Sequence, residues 1–187
     1  DKQIIGNVQN KFKQNSMLEI VDNLAKVKQR MTAAEQQFGL QKGQVTLLAV
    51  SKTKPVADIL CAIEAGQTRF GENYVNEAVE KIRKINRNDI EWHFIGPIQS
   101  NKTRLIAENF SWVHSVDRLK IAQRLSDQRP VSHSKLKLCL QVNVSNEESK
   151  SGVRQADLSR LVEAVIKLPR IELRGLMAIP AKSTEHE

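Results

Sequence analysis

A chain of 187 residues, 40% of them hydrophobic, can bury one sizeable core but is short for two, so residues 1–187 read as a single domain. The formal charge of +8 favours anionic partners, but aromatics are only 4% and no run of five like charges occurs, which argues against nucleic-acid binding. No apolar run approaches the roughly 20 residues of a membrane span, the start lacks the apolar core of a secretory signal, and Cys61 and Cys139 sit in apolar stretches without metal-ligand spacing. A cytoplasmic protein with reduced core cysteines, no metal and no membrane partner is expected.

The first element is an amphipathic helix over 16–38, with Leu18, Val21, Leu24, Ala25, Val27 and Met31 at near-helical spacing and Ser16 as its N-cap, Glu19 following three residues on. A short β-rich run at 45–50 comes next, then Pro55 and a helix over 56–65 closed by Gly66. The unit repeats in kind, with strands at 68–70, 91–95, 112–116, 136–144 and 171–179 and helices at 74–85, 102–109, 118–128 and 155–168; 128–135 reads as a surface loop. Alternating strands and helices of about ten residues predict a parallel sheet, which a barrel or a doubly wound sheet would satisfy equally. Six strand-helix units are two short of a closed eight-strand barrel, whose usual length is roughly 250 residues. The chain therefore reads as part of a longer protein.

Several residues stand where chemistry is placed in such folds. The two-residue period of a strand puts Leu48, Val50 and Lys52 on one face, so Lys52 ends an apolar row. Partial desolvation there and the neighbouring Lys54 would favour the neutral amine that forms an imine; a solvated surface lysine is the plain alternative. Asn73, opening a helix after Gly71-Glu72, is a helix N-cap or a neutral hydrogen-bonding group beside a ligand ring. His93, between Trp92 and Phe94, reads as a core histidine with a backbone partner. Gln99-Ser100-Asn101 reads as a turn and cap, Ser149-Lys150-Ser151-Gly152 as a loop or an anion nest, and Met177 as a core residue or a ring contact.

Five motifs share one order along the chain: Leu48-Ala49-Val50-Ser51-Lys52-Thr53-Lys54-Pro55, Phe70-Gly71-Glu72-Asn73-Tyr74-Val75, Trp92-His93-Phe94-Ile95-Gly96-Pro97-Ile98-Gln99-Ser100-Asn101-Lys102, Ser149-Lys150-Ser151-Gly152 and Arg174-Gly175-Leu176-Met177-Ala178-Ile179-Pro180. Together they resemble the pyridoxal phosphate homeostasis protein family. The resemblance implies a monomeric α/β fold, a (β/α)8 TIM-type barrel similar to the alanine racemase N-terminal domain and here truncated after about six βα units. It also implies pyridoxal 5′-phosphate (PLP) in imine linkage to Lys52, with Asn73 and Met177 against the cofactor ring. The family's phosphate-holding motifs, Ser-x-Gly-Met-Ser and Gly-x-x-x-Val-Arg-x-Gly, would lie beyond Glu187.

The same resemblance implies storage and delivery of PLP, with apo PLP-dependent enzymes as candidate recipients, and not turnover. A racemase needs two bases flanking the cofactor plane. Lys52 could serve one face; only Tyr74, the sole tyrosine, and His93 could serve the other. A PLP-dependent amino-acid racemase is the first alternative function, and a cofactor-free aldolase using Lys52 is the second.

Overall fold

The structure is a computed structural model that describes residues 2–145 and 151–179, with side chains from residue 17 onward. The chain divides into two compact units, residues 1–70 and 71–187.

The first unit contains helix α1 (Lys2–Gln37), strand β1 (Ala49–Val50), helix α2 (Val56–Glu64) and the first two residues of strand β2 (Arg69–Glu72). Because α1 begins at Lys2, Ser16 lies inside it and is not its cap. The covered stripe also differs from the expected one. It follows three- and four-residue helical spacing through Ile20, Leu24, Lys28, Met31, Thr32 and Glu35, so that Leu24 and Met31 are covered as expected while Leu18, Val21 and Val27 stay exposed. Polar ends of the stripe are put to use: Lys28 Nζ donates to the Ala65 carbonyl at 3.3 Å, and the buried Glu35 carboxylate accepts the Gly43 and Val45 N–H groups at 3.0 and 2.7 Å. Those backbone donors, Val45 first, hold the Glu35 pKa below the ordinary carboxylate range. They also explain why the expected strand over 45–50 shrinks to Ala49–Val50. Its first N–H, that of Val45, goes to Glu35 and the Leu47 carbonyl accepts from Gln67 Nε2 at 3.0 Å, so side chains stand in for ladder partners there. Gly66, at φ +80°, closes α2 as expected, its N–H reaching the Ile63 carbonyl at 2.8 Å.

The second unit continues through helix α3 (Val75–Ile85), strand β3 (Glu91–Phe94), a 3₁₀ turn (Ser100–Lys102), helix α4 (Thr103–Asn109), strand β4 (Trp112–Val116), helix α5 (Leu119–Gln128), strand β5 (Leu136–Gln141), helix α6 (Gln155–Val165) and strand β6 (Ile171–Met177). The sheet has the strand order β1-β2-β3-β4-β5-β6. The pairs β3–β4, β4–β5 and β5–β6 are parallel, and α3, α4 and α5 each contact the next helix in the chain. A doubly wound sheet reverses its strand order at a switch point, and this one does not. The winding is that of a barrel, which decides between the two architectures the strand pattern left open.

Period-two alternation assigns the faces. Phe94, Val113, Leu136, Leu138 and Leu140 are fully buried, with Phe94 and Phe110 meeting edge to face at 5.4 Å. Strand β5 stops at Gln141 and does not reach the expected residue 144. Beyond it the Val142 N–H goes to the Met177 carbonyl at 2.8 Å and the Asn143 N–H to Val153 at 3.0 Å, turning the chain toward its return segment. The loop expected at 128–135 is held by Arg129, which is buried and gives Nη1 to the carbonyls of Ala107 (2.6 Å) and Phe110 (2.8 Å) and Nε to that of Ser134 (2.9 Å).

Replacing Arg129 by methionine leaves three carbonyls without their donor, and should lower unfolding free energy by roughly 2–4 kcal/mol. A lower urea midpoint at unchanged slope is the expected result.

Candidate functional site

In the first unit, strand β1 runs into the turn Ser51–Lys54, closed by the Lys54 N–H on the Ser51 carbonyl at 3.1 Å. Ser51 is buried while Val50 and Lys52 are exposed, so the alternation expected for the lysine row holds. The desolvation expected at Lys52 is not supplied by the described residues, since its side chain is exposed. Its neighbour is unusual: Thr53 has φ +63°, a left-handed conformation rare for a β-branched residue, and its hydroxyl donates to the Lys52 carbonyl at 2.6 Å. Strain of this kind is retained where surrounding structure imposes it, and it clusters at ligand sites.

In the second unit, Asn73 follows β2. The residue at the cap position of α3 is Tyr74, and no side chain caps the helix. Asn73 is therefore not the expected N-cap. Its Oδ1 is buried and has no hydrogen-bond partner. An orphaned carboxamide oxygen costs of the order of 1–3 kcal/mol, and it fits a ligand that brings a hydrogen-bond donor. The turn is held from both sides. The Glu72 carbonyl accepts the Ile95 N–H at 2.9 Å, and the buried Glu72 carboxylate meets Lys81 Nζ at 2.9 Å, with Glu77 at 2.6 Å from the same amine. Beside this turn lies a cavity of about 330 Å³ lined by Asn73, Tyr74, Asn76, Pro97, Gln99 and Lys102. Gln99 precedes the 3₁₀ turn without a side-chain cap bond. Met177 ends β6 in register with Gln141, half-buried, its carbonyl held by Val142. The strand endings thus place Asn73 and Met177 at C-terminal strand ends of one unit, without a direct bond between them. Ser149 and Lys150 lie outside the described residues. Gly152, at φ +131°, presses against Val142 and Asn143, where a Cβ would come within 2.5 Å of the Asn143 nitrogen.

The sheet face away from the helices carries a polar cluster that single residues did not reveal. His93 is buried as expected, but its partner is a side chain and not the backbone: Nδ1 lies 2.9 Å from His114 Nε2. One ring donates and the other accepts, so the bond is lost if both become imidazolium. His93 also stacks on Trp112 with centroids 5.3 Å apart. Glu91 Oε1 accepts from Trp112 Nε1 at 2.8 Å and from Lys137 Nζ at 3.0 Å, and Lys137 and Arg174 stand 5.2 and 5.9 Å from the Trp112 ring centre. Trp112 and His114 share a face by strand period, the one signal by which His114 was recognisable. Cys139, on that face, is a free thiol whose pKa burial pushes up; Cys61 is also free. Among the described residues no cluster of His, Cys, Asp or Glu could hold a metal ion, and no helix is long and apolar enough to cross a membrane.

A singly wound α/β sheet with its polar groups at the C-terminal strand ends defines a barrel protein of the (β/α) class. Residues 20–187 match the family model for the alanine racemase N-terminal domain. The chain is 57% identical over 169 residues to the pyridoxal phosphate homeostasis protein of Pseudomonas aeruginosa, covering 90% of this chain and 74% of that one. It is similar to the solved structure of PipY from Synechococcus elongatus with PLP bound, at 36% identity and TM-score 0.75, covering 88% of this chain and 73% of that one. Alanine racemase from Corynebacterium glutamicum, at 17% identity and TM-score 0.62 over 86% of this chain and 44% of that one, shares the fold. The chain belongs to the pyridoxal phosphate homeostasis protein family, within the alanine racemase N-terminal domain fold.

Burial lowers the His114 pKa below its ordinary 6.5. The unfolded chain then takes up the proton more readily than the folded one, so stability is complete above about pH 6.5 and declines as the pH falls toward the lowered folded value. The urea midpoint should drop between about pH 7.5 and about pH 5.5, and a His114→Gln variant should show a shallower drop over the same window.

Proposed function

We propose that this chain binds PLP and serves its homeostasis as a carrier, holding the cofactor through Lys52 and yielding it to apo PLP-dependent enzymes. The observation that carries the reading is the buried, unpartnered Asn73 Oδ1 at a C-terminal strand end, in a chain whose relatives are named for pyridoxal phosphate and one of which is solved with PLP bound. When bound, PLP supplies an aldehyde that a lysine amine captures reversibly and a ring that withdraws electrons. In this reading Lys52 would supply the amine for the covalent link, Asn73 Oδ1 would accept a hydrogen bond from the cofactor, and Met177 would contact it through its thioether. The exposed position of Lys52 suits a link that must be made and released. Residues 1–187 act as one cytoplasmic, monomeric barrel domain.

Turnover as a racemase would need a second base, and the described residues offer poor ones. His93 Nδ1 is engaged with His114, and Tyr74 is 55% exposed ahead of α3.

Borohydride reduction of PLP-loaded protein followed by peptide mapping should put the label on Lys52, and Lys52→Ala should abolish the visible absorbance; label mainly on Lys54 or Lys150 would refute the assignment. A colourless protein that cleaves a sugar phosphate through Lys52 would favour the aldolase.

In deuterated buffer, L-alanine should show no exchange with inversion at an enzyme-like turnover of order 1 per second. Exchange at that rate would replace the carrier by a racemase.

A further inference from the structure

Asn73 can contact a ligand only where its backbone allows, and that backbone is set by a residue from the neighbouring strand. Gly96, two residues past β3, is buried against it: a Cβ built on Gly96 would lie 2.3 Å from the Asn73 carbonyl oxygen, 2.7 Å from its Cα and 2.8 Å from its carbonyl carbon. No side chain fits at such distances, and all three atoms are backbone, so nothing flexible could move aside. The φ of Gly96 lies outside the left-handed region, which makes contact and not backbone strain the reason for glycine. Gly96 is itself held from the far side, where the buried Ser115 Oγ, near the end of β4, donates to the Gly96 carbonyl. On the near side the Ile95 N–H on the Glu72 carbonyl locks the same two chain segments in register at 2.9 Å. Three successive strand ends therefore form a relay, in which Ser115 fixes Gly96 and Gly96 fixes Asn73.

We propose that Gly96 and Ser115 are positioning residues that hold the Asn73 carboxamide in place for the cofactor ring, without touching the cofactor. The inference rests on the PLP-binding reading above. A methyl group at position 96 must displace the Asn73 main chain by several tenths of an ångström or more, and the Oδ1 at its side-chain end moves with it. Removing the Ser115 hydroxyl loosens Gly96 without adding bulk, so its effect should be smaller and in the same direction.

The experiment measures PLP affinity by titrating visible absorbance in the wild-type full chain, G96A, S115A, N73A and the double variants G96A/N73A and S115A/N73A, with urea midpoints recorded for each. G96A is expected to weaken PLP binding about tenfold, S115A by about threefold and N73A by at least as much as G96A. The decisive comparison is the double variants: each should bind PLP no more weakly than N73A alone, because both positions act through the same carboxamide. A role confined to stability would lower the urea midpoint and leave PLP affinity at the wild-type value. Wild-type affinity in G96A and S115A, or additive losses in the double variants, would overturn the proposal. If G96A does not fold, S115A and its double variant decide alone. Failure of the wild-type chain to bind PLP at all would instead overturn the functional reading on which the proposal stands.

Discussion

Each strand of this sheet lies beside its predecessor in the chain. Parallel neighbours cannot be joined by a tight turn, so every connection must return the chain through a helix, and repeated return in one direction lays successive helices side by side. That is why α3, α4 and α5 each contact the next helix. Their apolar faces then cover one side of the sheet with Phe94, Val113, Leu138 and Leu140. The candidate site residues of the second unit inherit their positions from this winding, because its parallel strands end at one edge, where Asn73, Gly96 and Met177 lie.

The other face of the sheet is built differently. Barrel interiors are usually filled by layers of branched aliphatic side chains, but here Glu91, His93, Trp112, His114, Lys137 and Arg174 interlock through hydrogen bonds and ring contacts. Such a cluster is directional, and each partner restricts the geometry of the next. It ties β3, β4, β5 and β6 together toward the N-terminal halves of the strands, since Glu91 and Trp112 open β3 and β4 and Lys137 is the second residue of β5. A rigid floor of this kind suits a protein that must present a preformed site to a small cofactor, since ordering the site on binding would cost affinity.

Lys52 illustrates a compromise between capture and release. A lysine buried deeply enough to lose its proton would bind an aldehyde readily but would shield the link from exchange. In this chain the lysine is exposed and the unusual conformation falls on the next residue, Thr53, at φ +63°.

Much of the architecture was legible in the sequence because it depends on local periodicity. The apolar run from Leu136 marks a strand buried on both faces, and Gly66 marks the end of α2. The five ordered motifs identified the family and pointed to Lys52, Asn73 and Met177. What periodicity could not supply was partnership across strands. The shortened β1 follows from Glu35, which takes N–H groups on the far side of a loop. The release of Asn73 from helix capping follows from Tyr74 taking the cap position of α3. The His93–His114 bond joins residues 21 apart in the chain, and the contact of Gly96 with Asn73 exists because the segments ending β2 and β3 are joined by the Ile95 N–H on the Glu72 carbonyl. A sequence determines which side of a strand a residue faces. Only the pairing of strands decides which residue it then meets, because that choice is made by register and twist over many residues at once and leaves no local mark on any one of them.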